Sequence, residues 1–131
     1  LDDVLNDDFD MIVLPGGLPG ADHLNNDARI QKLVKKLAAN NKYTAAICAA
    51  PRILATAGLL DGKRATSFPG ALDQFPVKNL KYEETAVVVD ANVITSRGPG
   101  TAMDFTLTLI ELLCGKEKRD EVEGALQRVK N

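Results

Sequence analysis

Tyr43-Thr44-Ala45-Ala46-Ile47-Cys48-Ala49-Ala50-Pro51 is the stretch on which the fold turns. Tyr43 to Ile47 has the length and apolar character of a buried strand, and Pro51 through Leu60 reads as a helix with proline in its first turn, where the missing N–H is no loss. Between them lie one cysteine and small residues. A sharp strand-to-helix turn crowds the backbone, and Ala46, Ala49 and Ala50 leave space that larger side chains would fill. A strand feeding directly into a helix is the repeating unit of a mostly parallel sheet with helices on both faces.

The flanking sequence repeats the alternation. Phe9-Asp10-Met11-Ile12-Val13-Leu14 ends in a continuous apolar run, the pattern of a strand buried on both faces, and Pro15-Gly16-Gly17 stops it. A loop with Pro19 and Gly20 follows. Ile30, Leu33, Val34, Leu37 and Ala38 then recur at helical spacing, with Asn25, Asn26 and Asp27 as caps upstream and Lys32, Lys35 and Lys36 facing water. On the carboxyl side, Asp61-Gly62 ends the helix after Cys48, and residues 63–82, with Pro69, Gly70 and Pro76, are expected to cross the surface without regular structure. Ala86-Val87-Val88-Val89 and Val93-Ile94-Thr95 flank Asp90-Ala91-Asn92 as a hairpin, followed by a rigid loop, Ser96-Arg97-Gly98-Pro99-Gly100. Thr101 and Asp104 have capping-box spacing and open a helix through Leu113 that is apolar on most sides, hence expected to be largely buried, and that ends at Gly115. A last segment sets Val122, Ala125, Leu126 and Val129 on one face, weakened by Gly124.

Composition limits the function classes. The 131 residues suffice for one domain and not two, and 45% hydrophobic against 26% charged residues is the balance of a folded core. Sixteen Lys and Arg against eighteen Asp and Glu, scattered along the chain, leave a net charge of -2 and argue against a basic nucleic-acid-binding face. No apolar stretch approaches the roughly 20 residues of a membrane span. Two cysteines, Cys48 and Cys114, are too few for a disulfide framework and have no neighbours at metal-ligand spacing, which points to a reducing, cytoplasmic setting and no metal site. Cys114, beside Leu112 and Leu113, is expected in the core. The opening, Leu1-Asp2-Asp3-Val4-Leu5-Asn6-Asp7-Asp8, has neither the basic start of a secretory signal nor an initiator methionine, so the chain is expected to begin inside a longer polypeptide.

The chemistry centres on Cys48. Strand, reactive residue, small residues and helix make up the anatomy of a nucleophile elbow. A cysteine at a helix amino terminus meets unpaired N–H groups and the positive end of the helix dipole, both of which favour thiolate. The Cys48 and Ala49 amides, with one from Gly16 or Gly17, are expected to converge on a developing oxyanion. The local pattern alone leaves a second reading equally open, in which Cys48 is a small buried hydrophobe.

Three motifs in register carry the reading further: Leu14-Pro15-Gly16-Gly17, Ala46-Ile47-Cys48-Ala49-Ala50-Pro51 and Thr95-Ser96-Arg97-Gly98-Pro99-Gly100-Thr101. Over essentially the whole chain they resemble the ThiJ/PfpI superfamily, in the branch of the parkinsonism-associated deglycase and bacterial YajL. The resemblance implies an α/β, flavodoxin-like three-layer sandwich with a mostly parallel sheet and a β-hairpin, residues 1–131 being the larger, C-terminal part of a single domain. It implies a homodimer, no cofactor, and a catalytic, easily oxidised cysteine at Cys48. The expected pocket residues are Gly16, Gly17, Ala49, Phe68, Arg97, Gly98 and Pro99, with Arg97 either binding an anionic group or pairing with a carboxylate to hold its loop. It also implies a preceding strand and helix carrying a glutamate that contacts the cysteine. No part of this chain matches that segment, and Asp2, Asp3, Asp7 and Asp8 are not its equivalent, so a separate N-terminal fragment is a candidate partner.

Two departures narrow the activity. Protease-like members have a histidine directly after the cysteine; here Ala49 stands there, which removes the Cys–His dyad. Some deglycase relatives carry a histidine in the segment corresponding to Thr66-Ser67-Phe68-Pro69, where this chain has Phe68. His23, the only histidine, is read as a surface or capping residue. The resemblance therefore implies a glyoxalase or deglycase acting on methylglyoxal-type dicarbonyls or their adducts through a Cys48 hemithioacetal, or else a redox-sensing stress protein or chaperone without turnover.

Overall fold

Alternating strands and helices give, in chain order, β1 (Met11–Leu14), α1 (Gly20–Asn25), α2 (Ala28–Ala39), β2 (Tyr43–Ile47), α3 (Pro51–Thr56), β3 (Arg64–Ala65), β4 (Lys81–Tyr82), β5 (Val87–Asp90), β6 (Val93–Ser96), α4 (Ala102–Cys114) and α5 (Lys116–Leu126). The computed structural model describes residues 8–127, so Asp2, Asp3, Asp7 and Val129 lie outside the described residues. The main sheet has the order β1-β2-β6-β5. β1, β2 and β6 run parallel, with Leu14 opposite Ala46 and Ile47 opposite Ser96, and β5 returns antiparallel to β6 as the expected hairpin.

The strand period of two explains the layers. Leu14, Ala46 and Val93 point to one face, where Ile30 and Val34 of α2 and Ile53 and Leu54 of α3 cover them. Ala45 and Ile94 point to the other, against Phe105 and Leu109 of α4. Alanines on β2 let helices approach from both sides, and each fully buried Ile or Leu adds about 1.5–3 kcal/mol. This is the three-layer, mostly parallel α/β arrangement that the alternation predicts.

Several elements depart from expectation. Among the described residues β1 pairs only with β2, and Val13 is 47% exposed; only Leu14 of this strand is buried. Where a loop is expected after Gly17, Ala21 N–H donates to Gly17 O and starts α1, whose Ala21 is fully buried. α3 ends at Thr56 instead of Leu60, because Gly58 turns left-handed at φ +77° and the Leu59 N–H returns to Leu54 O. Residues 63–82 hold the two-residue parallel pair β3–β4, and Thr66, Ser67, Ala71 and Leu72 of this segment are buried.

Thr101 forms no capping box with Asp104, since its hydroxyl turns back onto the preceding loop. α4 buries Phe105, Leu107 and Leu109 but leaves Met103 and Leu113 exposed. Cys114 is exposed as well, because it falls in the last turn of α4, past the residues that face the sheet. Of the face expected on α5, Val122 is half-buried while Ala125 and Leu126 are exposed. No helix of the described residues is long and apolar enough to cross a membrane.

Candidate active site

Cys48 follows the last residue of β2 and has φ +65°, a left-handed conformation that costs a residue with a side chain about 1–2 kcal/mol. Two hydrogen bonds hold it there. Its N–H donates to Ser96 O at 3.0 Å, extending the β2–β6 ladder by one step, and its carbonyl accepts from Phe68 N–H at 2.8 Å. Gly16 closes the third side: a Cβ on it would lie 2.5 Å from Cys48 Cβ, 2.7 Å from Ile47 O and 3.3 Å from Ala49 N. The β1 turn, the β6 loop and the segment after β3 thus converge on one half-buried cysteine.

This arrangement corrects the expected donor set. The Cys48 N–H is engaged by Ser96 and is not free for an oxyanion, whereas the Ala49 and Gly17 amides have no acceptor among the described residues. The helix contribution is also smaller than the sequence suggests. α3 is only six residues long and starts three positions beyond Cys48, and a dipole effect falls off within the first turn. No hydrogen bond reaches Cys48 Sγ among the described residues.

Phe68 stands beside the elbow, 49% exposed, with Cδ2 only 3.4 Å from where a Gly98 side chain would begin. Gly98 is buried for that reason, and exposed Pro99 opens a single 3-10 turn, Pro99–Thr101. Two hydroxyls, one on buried Ser96 and one on half-buried Thr101, lock this loop. Thr101 Oγ1 accepts from Arg97 N–H at 3.2 Å and Gly98 N–H at 3.0 Å, and lies 2.7 Å from Ser96 Oγ, which donates to Ala86 O. Arg97 points elsewhere: its Nε–H donates to Ser67 O at 3.2 Å and its guanidinium lies 6.0 Å from the Tyr82 ring centroid, in a neighbouring cleft that Cys48 does not line. Gly16, Ala49 and Phe68 therefore gather at Cys48, Gly17 follows Gly16 in the same turn, Gly98 reaches the cysteine through Phe68, and Arg97 belongs next door. His23 occupies the last turn of α1 with no hydrogen bond to the cysteine. No group of three or more potential metal-binding side chains exists among the described residues.

Sequence reasoning missed two supports. One is Ser96, whose carbonyl fixes Cys48; its position just before Arg97-Gly98-Pro99-Gly100 was the available signal. The other is Arg52, whose Nη1 pairs with Asp22 Oδ1 at 2.7 Å while Nη2 donates to Ala71 O at 3.2 Å and the guanidinium packs 4.8 Å from the Phe75 ring centroid. Nothing in the local sequence signals partners thirty and nineteen positions away.

A family model described as DJ-1/PfpI family matches residues 1–112. "Protein DJ-1 homolog A" of Arabidopsis thaliana is 46% identical over 127 residues, covering 96% of this chain and 32% of that protein. "Protein dj-1beta" of Drosophila melanogaster is 44% identical over 124 residues, 94% of this chain and 66% of that one. The chain thus spans about a third of the plant relative and just under two thirds of the fly one. The crystal structure of Drosophila melanogaster DJ-1beta superposes with a TM-score of 0.90 at 42% identity, covering 98% of this chain and 69% of that one. "Toxoplasma gondii DJ-1, oxidized" superposes at 0.88 with 37% identity, covering 98% and 70%.

Proposed function

The chain belongs to the DJ-1/PfpI family, and on that premise we propose that Cys48 is the nucleophile of a glyoxalase or deglycase acting on small dicarbonyls such as methylglyoxal, or on their adducts. The observation that carries this reading is the backbone of Cys48, at φ +65°, pinned by Ser96 and Phe68 and wedged on Gly16. A costly conformation held by three separate segments serves to present a side chain. The same premise supports one cytoplasmic domain acting as a homodimer.

In the reaction the Cys48 thiolate adds to the aldehyde carbon, a C–S bond forms and the carbonyl electron pair moves to oxygen, where the free Ala49 and Gly17 amides are the candidate donors. Protonation gives a hemithioacetal. A proton then moves from the sulfur-bearing carbon to the adjacent former ketone carbon, and water hydrolyses the resulting thioester, so that methylglyoxal plus water yields a 2-hydroxy acid without any redox partner. These proton transfers call for a carboxylate. We propose that it reaches Cys48 from outside residues 1–131, on the same or a separate polypeptide. Ala49, in place of a histidine, argues against peptidase chemistry. Together with the polypeptide that supplies this carboxylate, the chain should consume methylglyoxal, with Cys48→Ser slowing turnover by about 100-fold or more; an unchanged rate in that variant would refute the reading.

The oxidised Toxoplasma relative favours a second role, redox sensing linked to stress protection. Cys48 would reduce two peroxide molecules to water in turn, passing through sulfenic to sulfinic acid. Mass spectrometry after mild peroxide should find two added oxygens on Cys48. Oxidation of Cys114 with Cys48 untouched would exclude that role.

A further inference from the structure

The segment that braces the elbow through Phe68 has a second side. There Ser67, Pro69, Gly70, Leu72 and Asp73 form, with Leu80, Tyr82, Glu84 and Arg97, a cleft of about 350 Å³. This is the lower end of the range of small-molecule sites. Cys48 is not among its walls, so the cleft is a site separate from the elbow.

Arg97 is held in place before any ligand arrives. Ser67, fully buried, offers its carbonyl to both Arg97 Nε–H at 3.2 Å and Tyr82 O–H at 3.1 Å, and the guanidinium faces the Tyr82 ring. A guanidinium has five N–H donors, and here only Nε–H is used; both Nη groups lack a protein acceptor among the described residues. A fork fixed in this way suits a carboxylate or phosphate held bidentately.

Charge decides between these two. Asp73 and Glu84 line the same cleft, and neither has an ion-pair partner among the described residues. One cation and two carboxylates leave the cleft net negative, which repels a phosphate dianion and favours a ligand that adds an ammonium to its carboxylate. Leu72 and Leu80 supply an apolar wall.

We infer that this cleft binds a free α-amino acid with an apolar side chain, its carboxylate on Arg97, its ammonium on Asp73 or Glu84, and its side chain against Leu72 and Leu80. Calorimetric titration of the full chain with L-leucine tests this. Saturable binding is expected, at least tenfold tighter than that of 4-methylpentanoate, which lacks the ammonium, or 3-methylbutylamine, which lacks the carboxylate. Arg97→Met should weaken leucine binding at least tenfold. Because Arg97 also braces Ser67, the double variant Asp73→Asn, Glu84→Gln provides the check on exposed side chains that hold no fold contact, and it should weaken leucine tenfold while leaving 4-methylpentanoate unchanged or tighter. Absence of saturable leucine binding, phosphate binding more tightly than leucine, or a double variant that binds leucine normally would each overturn the inference.

Discussion

At Gly16 the site tolerates no added atom. A methyl group there would sit 2.5 Å from Cys48 Cβ and 2.7 Å from Ile47 O, well inside van der Waals contact. Gly16→Ala is therefore expected to destabilise the protein by about 1–3 kcal/mol and to slow alkylation of Cys48, as read by denaturant titration and iodoacetamide kinetics. Unchanged alkylation would mean that the elbow does not depend on this contact. Both residues were legible in the sequence, because Gly-Gly at one strand end and a cysteine among alanines at the next are the small residues that a crowded turn requires. The acceptor that Ser96 provides for the Cys48 N–H was only faintly legible, from its place just before Arg97-Gly98-Pro99-Gly100, since the bond joins strands that neighbour in the sheet but lie far apart in sequence. Nor could the sequence show that Arg97 turns away from the cysteine, because the backbone loop was legible while the side chain's direction depends on Ser67 and Tyr82.

Among the elements, α2 was the most legible, because its apolar residues have only one helical face to share and Asp27 precedes them. Asp27 accepts from Arg29 N–H at 2.9 Å, and the Arg29 guanidinium bonded to its carboxylate is the main reason its pKa falls below the ordinary 3.8. A lowered folded-state pKa contributes stability that is present above the unfolded value and is lost as pH falls through the folded one. Thermal melts should thus show wild type above Asp27→Asn at about pH 5, with the gap closing as pH drops below 3.8; a gap independent of pH would refute the ion-paired cap. The hairpin was equally legible from Asp90-Ala91-Asn92, yet Ala91 adopts φ +54°, a conformation glycine accepts more readily. Ala91→Gly should raise stability by about 0.5–1 kcal/mol in urea titration; a loss would show that unfolded-chain entropy outweighs the relief. Thr101 departs from its sequence expectation for the opposite reason. Its spacing to Asp104 matches a helix cap, but the polar N–H groups of Arg97 and Gly98 compete for the same hydroxyl and hold it.

Across the whole molecule, one side chain joins the segments around the elbow. Arg52, 13% exposed, ties α3 to Asp22 of α1, which follows the Gly16-Gly17 turn, and to Ala71, which follows Phe68. Replacing it with Met keeps the stem but leaves the Ala71 carbonyl and Asp22 without this donor, for an expected loss of about 1–3 kcal/mol in denaturant titration; a change below measurement error would show that Arg52 does not tie these segments together. The layer order was legible from alternation alone, whereas such long-range ties, and the exposure of Cys114, depend on packing that no local pattern reports. That contrast between the two cysteines supplies the most direct test of the central claim, that the elbow presents Cys48 as a nucleophile. Both thiols are free, and Cys114 is the more exposed. With limiting iodoacetamide on the native chain and peptide mass spectrometry, Cys48 is predicted to be carboxamidomethylated first, ahead of Cys114. Labelling of Cys114 first, with Cys48 reacting no faster than in the denatured chain, would contradict that claim.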